Sequence, residues 1–169
     1  DTAVEMLAYV LPEDKLDGML VYTADKNGEG DRYFCKDGKI QRESDDGSRD
    51  SRYPKEDDHE LDVPLAVLVN GNSASASEVF TGAVMDYDAG IVVGTTTFGK
   101  GIVQNLIPLG DGTAIKLTTA HYYTPNGFDL HGKGLEPDVV VEMDEELQKK
   151  AVVELSEDNQ LQAAIEAMN

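Results

Sequence analysis

The sequence predicts one α/β domain in which strands and helices alternate and part of the sheet is antiparallel. Residues 63–70, VPLAVLVN, form an unbroken apolar run that is typical of a strand covered on both faces. Residues 76–84 then place small and apolar side chains at helical spacing. Further β-rich runs, such as DVVVEM, are separated by DG and PNG turns. A chain of 169 residues can bury one sizeable core, which favours a single domain over residues 1–169.

The other elements follow from local patterns. Apolar residues at helical spacing from Val4 to Leu11 predict a first helix, and MLVYTAD and DRYF predict two strands around the glycine-rich turn KNGEG. Residues 36–62 are mostly charged or turn-forming, which predicts a mobile acidic surface loop. A weakly amphipathic, acidic pattern predicts a C-terminal helix over residues 144–169.

Charge and cysteine content exclude several classes of function. The formal net charge is −19, with 33 acidic against 14 basic residues, so the surface should repel nucleic acid and anionic lipid. We therefore expect no nucleic-acid partner. Cys35 is the only cysteine, so the chain can form no internal disulfide and has no paired-cysteine metal motif.

The segment GNSASASEVF, residues 71–80, is the first candidate for chemistry. A strand that ends in small residues and turns into a helix can expose a serine and point free backbone N–H groups at the same place. Acyl transfer requires this combination of a nucleophile and donors for the developing oxyanion. The hydrolase pattern G-x-S-x-G is absent, however, and Ser75 and Glu78 have the S-x-x-E spacing of a capping box. An N-cap is therefore the alternative interpretation of Ser75.

A base for such a serine is found more readily among the lysines than among the histidines. His59 lies in the charged segment, and His121 and His131 lie near turns, where histidines are usually solvated. A lysine has an ordinary pKa of about 10.4, so a lysine that acts as a base must be desolvated. Lys100 fits best, because glycines flank it in TFGKGIVQ and its neighbours are apolar, although a surface charge is the alternative. In an extended segment Gln104 would project to the same side and could orient the amine.

Two further motifs are incomplete. GTTTFGKG, residues 94–101, departs from the phosphate-binding pattern at Gly101, and a β-like segment rather than a helix follows. DKNGEGD, residues 25–31, resembles the start of a calcium loop, but Lys36 stands where the closing glutamate is required. A hairpin is the better interpretation, and we expect neither a metal ion nor another cofactor.

Four segments together resemble the carboxyl-terminal processing peptidases, also called tail-specific proteases. They are VPLAVLVNGNSASASEVFTGAVMD, VVGTTTFGKGIVQ, LTTAHYYTPNG and GKGLEPDVVVE. The resemblance runs from about residue 3 to residue 142 and is most specific over residues 63–138. It implies a ClpP/crotonase-like αβ superhelix and a serine endopeptidase that needs no metal.

Carried over motif by motif, the resemblance implies that Ser75 is the nucleophile and Lys100 the general base. Gln104 is implied to orient the lysine, and the backbone N–H of Ala76 to be one oxyanion donor. The implied reaction is hydrolysis of peptide bonds near protein C-termini through an acyl-enzyme. The implied partner is a protein or peptide substrate.

The sequence also departs from the family pattern. Family members normally carry, before the helix that opens this chain, a PDZ domain and an R-x-N-x-GG segment whose glycine gives the second oxyanion donor. Neither occurs in this sequence. We therefore expect the C-terminal part of a peptidase core that is incomplete at its N-terminus and weakly active or inactive alone, from a bacterial, extracytoplasmic parent. An incomplete core would leave an open sheet edge, so a homodimer by strand exchange is a further expectation.

Two other function classes stay open. A noncatalytic peptide-binding or scaffold module would use Ser75 only as a buried N-cap and hold the Lys100 amine far from its hydroxyl. A crotonase-like acyl-CoA enzyme would share the implied fold, but the acidic composition provides no basic site for the CoA phosphates.

Overall fold

A computed structural model describes residues 2–11, 18–36, 39–54 and 63–169 of the chain. Its elements, in chain order, are α1 (Thr2–Val10), β1 (Met19–Ala24), β2 (Asp31–Lys36), β3 (Lys39–Ser44), β4 (Arg49–Pro54), β5 (Ala66–Val69), α2 (Ala76–Asp86), β6 (Ile91–Gly94), β7 (Ile102–Pro108), β8 (Ala114–Tyr123), β9 (Val139–Val140), α3 (Glu145–Gln148) and α4 (Asn159–Ala167). The first helix and the strands predicted around the KNGEG turn are confirmed.

The described strands form two sheets of different kinds. The six-stranded sheet has the order β4-β3-β2-β1-β8-β7 and is antiparallel throughout. The three-stranded sheet has the order β5-β6-β9 and is parallel. Helix α2 is the crossover that parallel neighbours such as β5 and β6 require. The predicted α/β architecture with an antiparallel part is confirmed, and the antiparallel part is the larger.

The hydrophobic core lies between α1, α2 and the strands β1 to β3. Leu7 and Leu11 of the first helical segment are almost completely buried, as are Leu20 on β1 and Val84 on α2. Burying a side chain of this size contributes about 2 kcal/mol relative to its exposed state. This core fixes α2, whose N-terminus is the end next to Ser75, against the antiparallel sheet.

Strands β3 and β4 occupy residues 39–54, so the prediction of a loop over 36–62 is wrong for that part. Ile40 is 7% exposed and joins the core. Glu43 and Arg49 stand opposite each other and form an ion pair at 3.1 Å. Opposite charges facing each other stabilise a solvent-exposed pair of strands, and the charge-rich composition concealed this pairing. Lys36 is the last residue of β2, and residues 37–38 and 55–62 lie outside the described residues.

Strand β5 is an edge strand among the described elements, although its apolar run predicted cover on both faces. Val69 is buried, whereas Leu68 is 44% exposed. Successive side chains of a strand point to opposite faces of the sheet, so the face of β5 that carries Leu68 is incompletely covered.

The segment 144–169 contains two helices, so the prediction of one C-terminal helix is wrong. The side chain of Asp158 accepts hydrogen bonds from the backbone N–H groups of Gln160 and Leu161, which makes it the N-cap of α4. An N-cap residue has a non-helical backbone, so α4 starts there instead of continuing α3. Within the described ranges, no helix has the length and apolar character needed to cross a bilayer.

Candidate active site

Ser75 lies at the turn between β5 and α2, in the N-cap position of the helix. Its φ of 57° and ψ of −112° are unusual for a residue with a Cβ atom. Such a conformation costs about 1–3 kcal/mol and persists only where the surroundings enforce it. Ala76 is exposed and opens α2, where backbone N–H groups lack intrahelical partners. A serine on a strained strand-to-helix turn is typical of the nucleophile in α/β hydrolytic enzymes.

Glu78 joins this turn to the loop that carries Lys100. The side chain is completely buried, and its Oε2 accepts the backbone N–H of Ser75 at 2.9 Å and that of Lys100 at 2.8 Å. Both backbone nitrogens bond to the same oxygen. The distance between the two nitrogens is therefore at most the sum of the two hydrogen-bond lengths. Two segments that are distant in the sequence are therefore held side by side.

The other carboxylate oxygen of Glu78 is also fully engaged. Oε1 accepts the backbone N–H of Gly99 and the hydroxyl of Thr97, each at 2.6 Å. The Thr97 hydroxyl in turn accepts the backbone N–H of Leu135 at 2.8 Å. The carboxylate thus receives four donors, and these bonds offset the cost of burying so polar a group.

Main-chain bonds hold the glycine-rich loop in place as well. Phe98 donates its backbone N–H to the carbonyl oxygen of Ser73, and Gly132 donates to the carbonyl oxygen of Gly99, both at 2.9 Å. Gly99 has a φ of +84°, and a Cβ atom there would lie 2.8 Å from the backbone nitrogen of Gly134. Gly99, one of the glycines of the incomplete phosphate-binding pattern, therefore has a packing role in this fold.

Lys100 is half-buried and precedes β7, which begins at Ile102. The register shift at Val103 and Gln104 places the extra residue, Thr119, on β8. Alternation along β7 therefore continues from Ile102 to Gln104. The Gln104 side-chain amide donates to the hydroxyl of Thr118 at 3.3 Å, which leaves its carbonyl oxygen as an acceptor. The hydrogen bond from Lys100 to Gln104 stays a prediction.

The two described histidines form a separate cluster at the end of β8. His121 Nδ1 lies 3.2 Å from Asp129 Oδ2, and the rings of His121 and His131 meet edge to face with centroids 4.9 Å apart. Partial burial opposes ionisation of Asp129, but the backbone N–H of His131 and the His121 ring outweigh it and lower the pKa of Asp129. His59 lies outside the described residues. In the described part of the chain, no three histidine, cysteine or acidic side chains are grouped to hold a metal ion.

The profile of peptidase family S41 matches residues 1–141, so the chain belongs to that family. A carboxy-terminal-processing protease of Bartonella bacilliformis is 54% identical over 79 residues, which cover 47% of this chain and 18% of that relative. A "Probable CtpA-like serine protease" of Staphylococcus epidermidis is 52% identical over 80 residues, which cover 47% of this chain and 16% of that relative. The chain thus spans less than a fifth of the length of these two relatives.

Solved structures agree with the family assignment. The photosystem II D1 C-terminal processing protease superposes with a TM-score of 0.60 at 34% identity, covering 83% of this chain and 30% of that one. A lipoprotein from Streptococcus agalactiae superposes with a TM-score of 0.54 at 19% identity, covering 87% of this chain and 47% of that one. The second similarity shows the shared fold alone. The expected resemblance to the carboxyl-terminal processing peptidases and the expected fold class are confirmed.

Sequence reasoning assigned Glu78 to the capping box and gave Thr97 no role. The Glu78 half of that box is present, since its carboxylate accepts the Ser75 N–H. A signal was available, because Glu78 falls at helical spacing on the same face as Thr81 and Gly82, both of which are buried. A carboxylate on a buried helix face needs several donors, and three of those donors come from residues 97–100.

Proposed function

We propose that this chain forms part of the active centre of a serine endopeptidase that hydrolyses peptide bonds near protein C-termini. In this proposal Ser75 is the nucleophile, Lys100 the general base and Gln104 the residue that orients the lysine. The backbone N–H of Ala76 contributes one oxyanion donor. The observation that carries the proposal is the shared contact of the Ser75 and Lys100 backbones with one oxygen of Glu78.

The proposed reaction uses the Lys100 amine as the proton acceptor. Lys100 takes the proton of the Ser75 hydroxyl as its oxygen attacks the scissile carbonyl, and the carbonyl electrons move onto the oxyanion. The protonated amine then gives its proton to the leaving nitrogen as the peptide bond breaks. Water, deprotonated by the same lysine, attacks the acyl carbon. The bond between the acyl group and the Ser75 oxygen then breaks, the lysine returns its proton to that oxygen, and the second product leaves. The N-terminal end of α2 supplies positive partial charge beside the oxyanion.

Alanine substitutions in the full natural protein test the proposal. Ser75→Ala and Lys100→Ala should each abolish cleavage of a denatured, C-terminally tagged protein substrate. The matched controls are Ser77→Ala, two residues further along the same helix, and Lys116→Ala, at an exposed position of β8; both should retain wild-type turnover. Full activity of either Ser75→Ala or Lys100→Ala would reject the dyad. No cleavage by the wild-type full natural protein would favour the noncatalytic peptide-binding module, in which Ser75 serves only as the N-cap.

We further propose that the 169-residue polypeptide by itself has weak activity or none, because its sequence lacks the R-x-N-x-GG segment. Loss of one oxyanion donor removes about 3 kcal/mol of transition-state stabilisation, which corresponds to a rate lower by about two orders of magnitude. Turnover by this polypeptide equal to that of the full natural protein would contradict the proposal.

A bacterial, extracytoplasmic location, a PDZ domain in the full protein and a homodimer by strand exchange are also part of our proposal. Among the described strands β5 has a neighbour on one side alone, and its other edge is where such an exchange would add a strand. Sedimentation of the 169-residue polypeptide tests the dimer. Leu68→Pro, which removes a backbone donor from that strand, should leave only monomers if β5 is the exchanged edge.

A further inference from the structure

We infer that Glu78 is the positioning residue that sets the distance between the nucleophile and the base, beyond its contribution to folding. The inference rests on the proposed function of Ser75 and Lys100. It assigns Glu78 no contact with the substrate. Its effect is exerted through the backbones of the two residues that do the chemistry.

The first argument is that the two carboxylate oxygens of Glu78 have different hydrogen-bond partners. Oε2 holds the N–H groups of Ser75 and Lys100, whereas Oε1 holds Gly99 and Thr97, which belong to the loop alone. If Glu78 served only to hold the loop of residues 97–100, the bonds to Oε1 would be sufficient and those to Oε2 would not be required. The geometry of Oε2 couples the two reacting residues directly.

The second argument is the strain at Ser75. With a φ of 57°, its backbone has lower-energy alternatives that would swing the hydroxyl away from its present position. The hydrogen bond from its N–H to Glu78 opposes that relaxation. A displacement of about 1 Å at a reacting group can lower the rate by about 100-fold.

The third argument is chemical. Glutamine has nearly the shape of glutamate, but one of its two terminal atoms is an NH₂ group that cannot accept a hydrogen bond. Whichever way the amide is turned in Glu78→Gln, at least one backbone N–H now held by the carboxylate would face another donor. Alanine would remove all four bonds. We therefore expect a graded response in which glutamine is less harmful than alanine.

The experiment measures kcat and KM of the full natural protein with the tagged substrate, together with its thermal midpoint. Glu78→Ala should lower kcat by about 100-fold and Glu78→Gln by about tenfold, with KM changed by less than about threefold. The control is Val84→Ala, which truncates a fully buried core side chain on the same helix. It should lower the thermal midpoint by a similar amount and leave kcat within about twofold while the protein stays folded.

A second readout excludes a merely structural role. A fluorophosphonate probe reacts with an activated serine without requiring substrate binding, so its labelling rate at Ser75 should fall in parallel with kcat in both Glu78 variants. If folded Glu78→Gln has the same labelling rate and the same kcat as Val84→Ala, the inference is overturned. If Glu78→Ala does not fold, the comparison between Glu78→Gln and Val84→Ala decides.

Ser75→Ala in the same assays separates the two claims. An active Ser75→Ala variant refutes the proposed function. An inactive Ser75→Ala variant combined with wild-type kcat in Glu78→Gln and Glu78→Ala refutes only the role of Glu78.

Discussion

Phe98 donates its backbone N–H to the carbonyl oxygen of Ser73 at 2.9 Å, which joins the glycine-rich loop to the turn before α2 by main chain alone. This bond and the two bonds to Glu78 Oε2 hold the same pair of segments from different sides. Because the attachment is made at the backbone, the side chains of Ser75 and Lys100 are not used to hold the two segments together. Two consequences of this construction can be measured, and a third prediction concerns an ion pair in the antiparallel sheet.

The strained backbone of Ser75 predicts an unusual order of stability among variants at this position. Ser75→Gly should be more stable than Ser75→Ala by about 1 kcal/mol, because glycine adopts a positive φ without the Cβ penalty. This estimate allows for the greater freedom of glycine in the unfolded chain. Urea unfolding of the two variants measures the difference. Equal stability, or a more stable alanine variant, would show that the turn carries no strain at this residue.

The contact of Gly99 with the segment around Gly134 predicts that a methyl group is not tolerated there. Gly99→Ala combines a φ of +84° with a Cβ only 2.8 Å from a backbone nitrogen, so it should cost more than about 2 kcal/mol of stability. Thermal unfolding monitored by circular dichroism measures the loss.

The matched control for this prediction is Gly110→Ala. Gly110 has nearly the same φ, +86°, but a Cβ there would meet nothing within 4 Å. Its substitution should cost only the conformational strain, about 1 kcal/mol. If both variants lost the same stability, crowding against the segment around Gly134 would have no part in the effect.

The ion pair between Asp31 and Arg42, at 2.7 Å, predicts a contribution to stability that depends on pH. Partial burial opposes ionisation of Asp31, but hydrogen bonds from Arg42 and Ser44 outweigh it and lower the pKa below the ordinary 3.8. A lowered folded-state pKa stabilises the protein above the unfolded-state pKa, and this stabilisation is lost as the pH falls through the folded-state value.

Asp31→Asn should therefore be less stable than the wild type at neutral pH, and the difference should shrink on acidification below about pH 4. Urea unfolding at several pH values measures this difference. A difference that stays constant, or that grows as the pH falls, would contradict the assignment. Because Asp31 and Arg42 are both partly exposed, added salt should weaken the effect.

The sequence by itself determined the elements whose signals are local. The spacing of apolar residues from Val4 to Leu11 located α1, and the change from an apolar run to helical spacing after residue 70 located the turn at Ser75. Motifs in the sequence also singled out Lys100. These features are readable because the residues that define them are neighbours along the chain.

Only the tertiary structure decided which residues meet. The pairing of β3 with β4 depends on side chains that face each other across strands, so a charge-rich composition did not reveal it. The four donors of Glu78 come from Ser75 in its own turn and from the loop of residues 97–100, and no pattern in one segment specifies atoms of another. The physical reason is that a buried carboxylate needs hydrogen-bond donors close to it in space. The packing of α2 against that loop decides which donors these are.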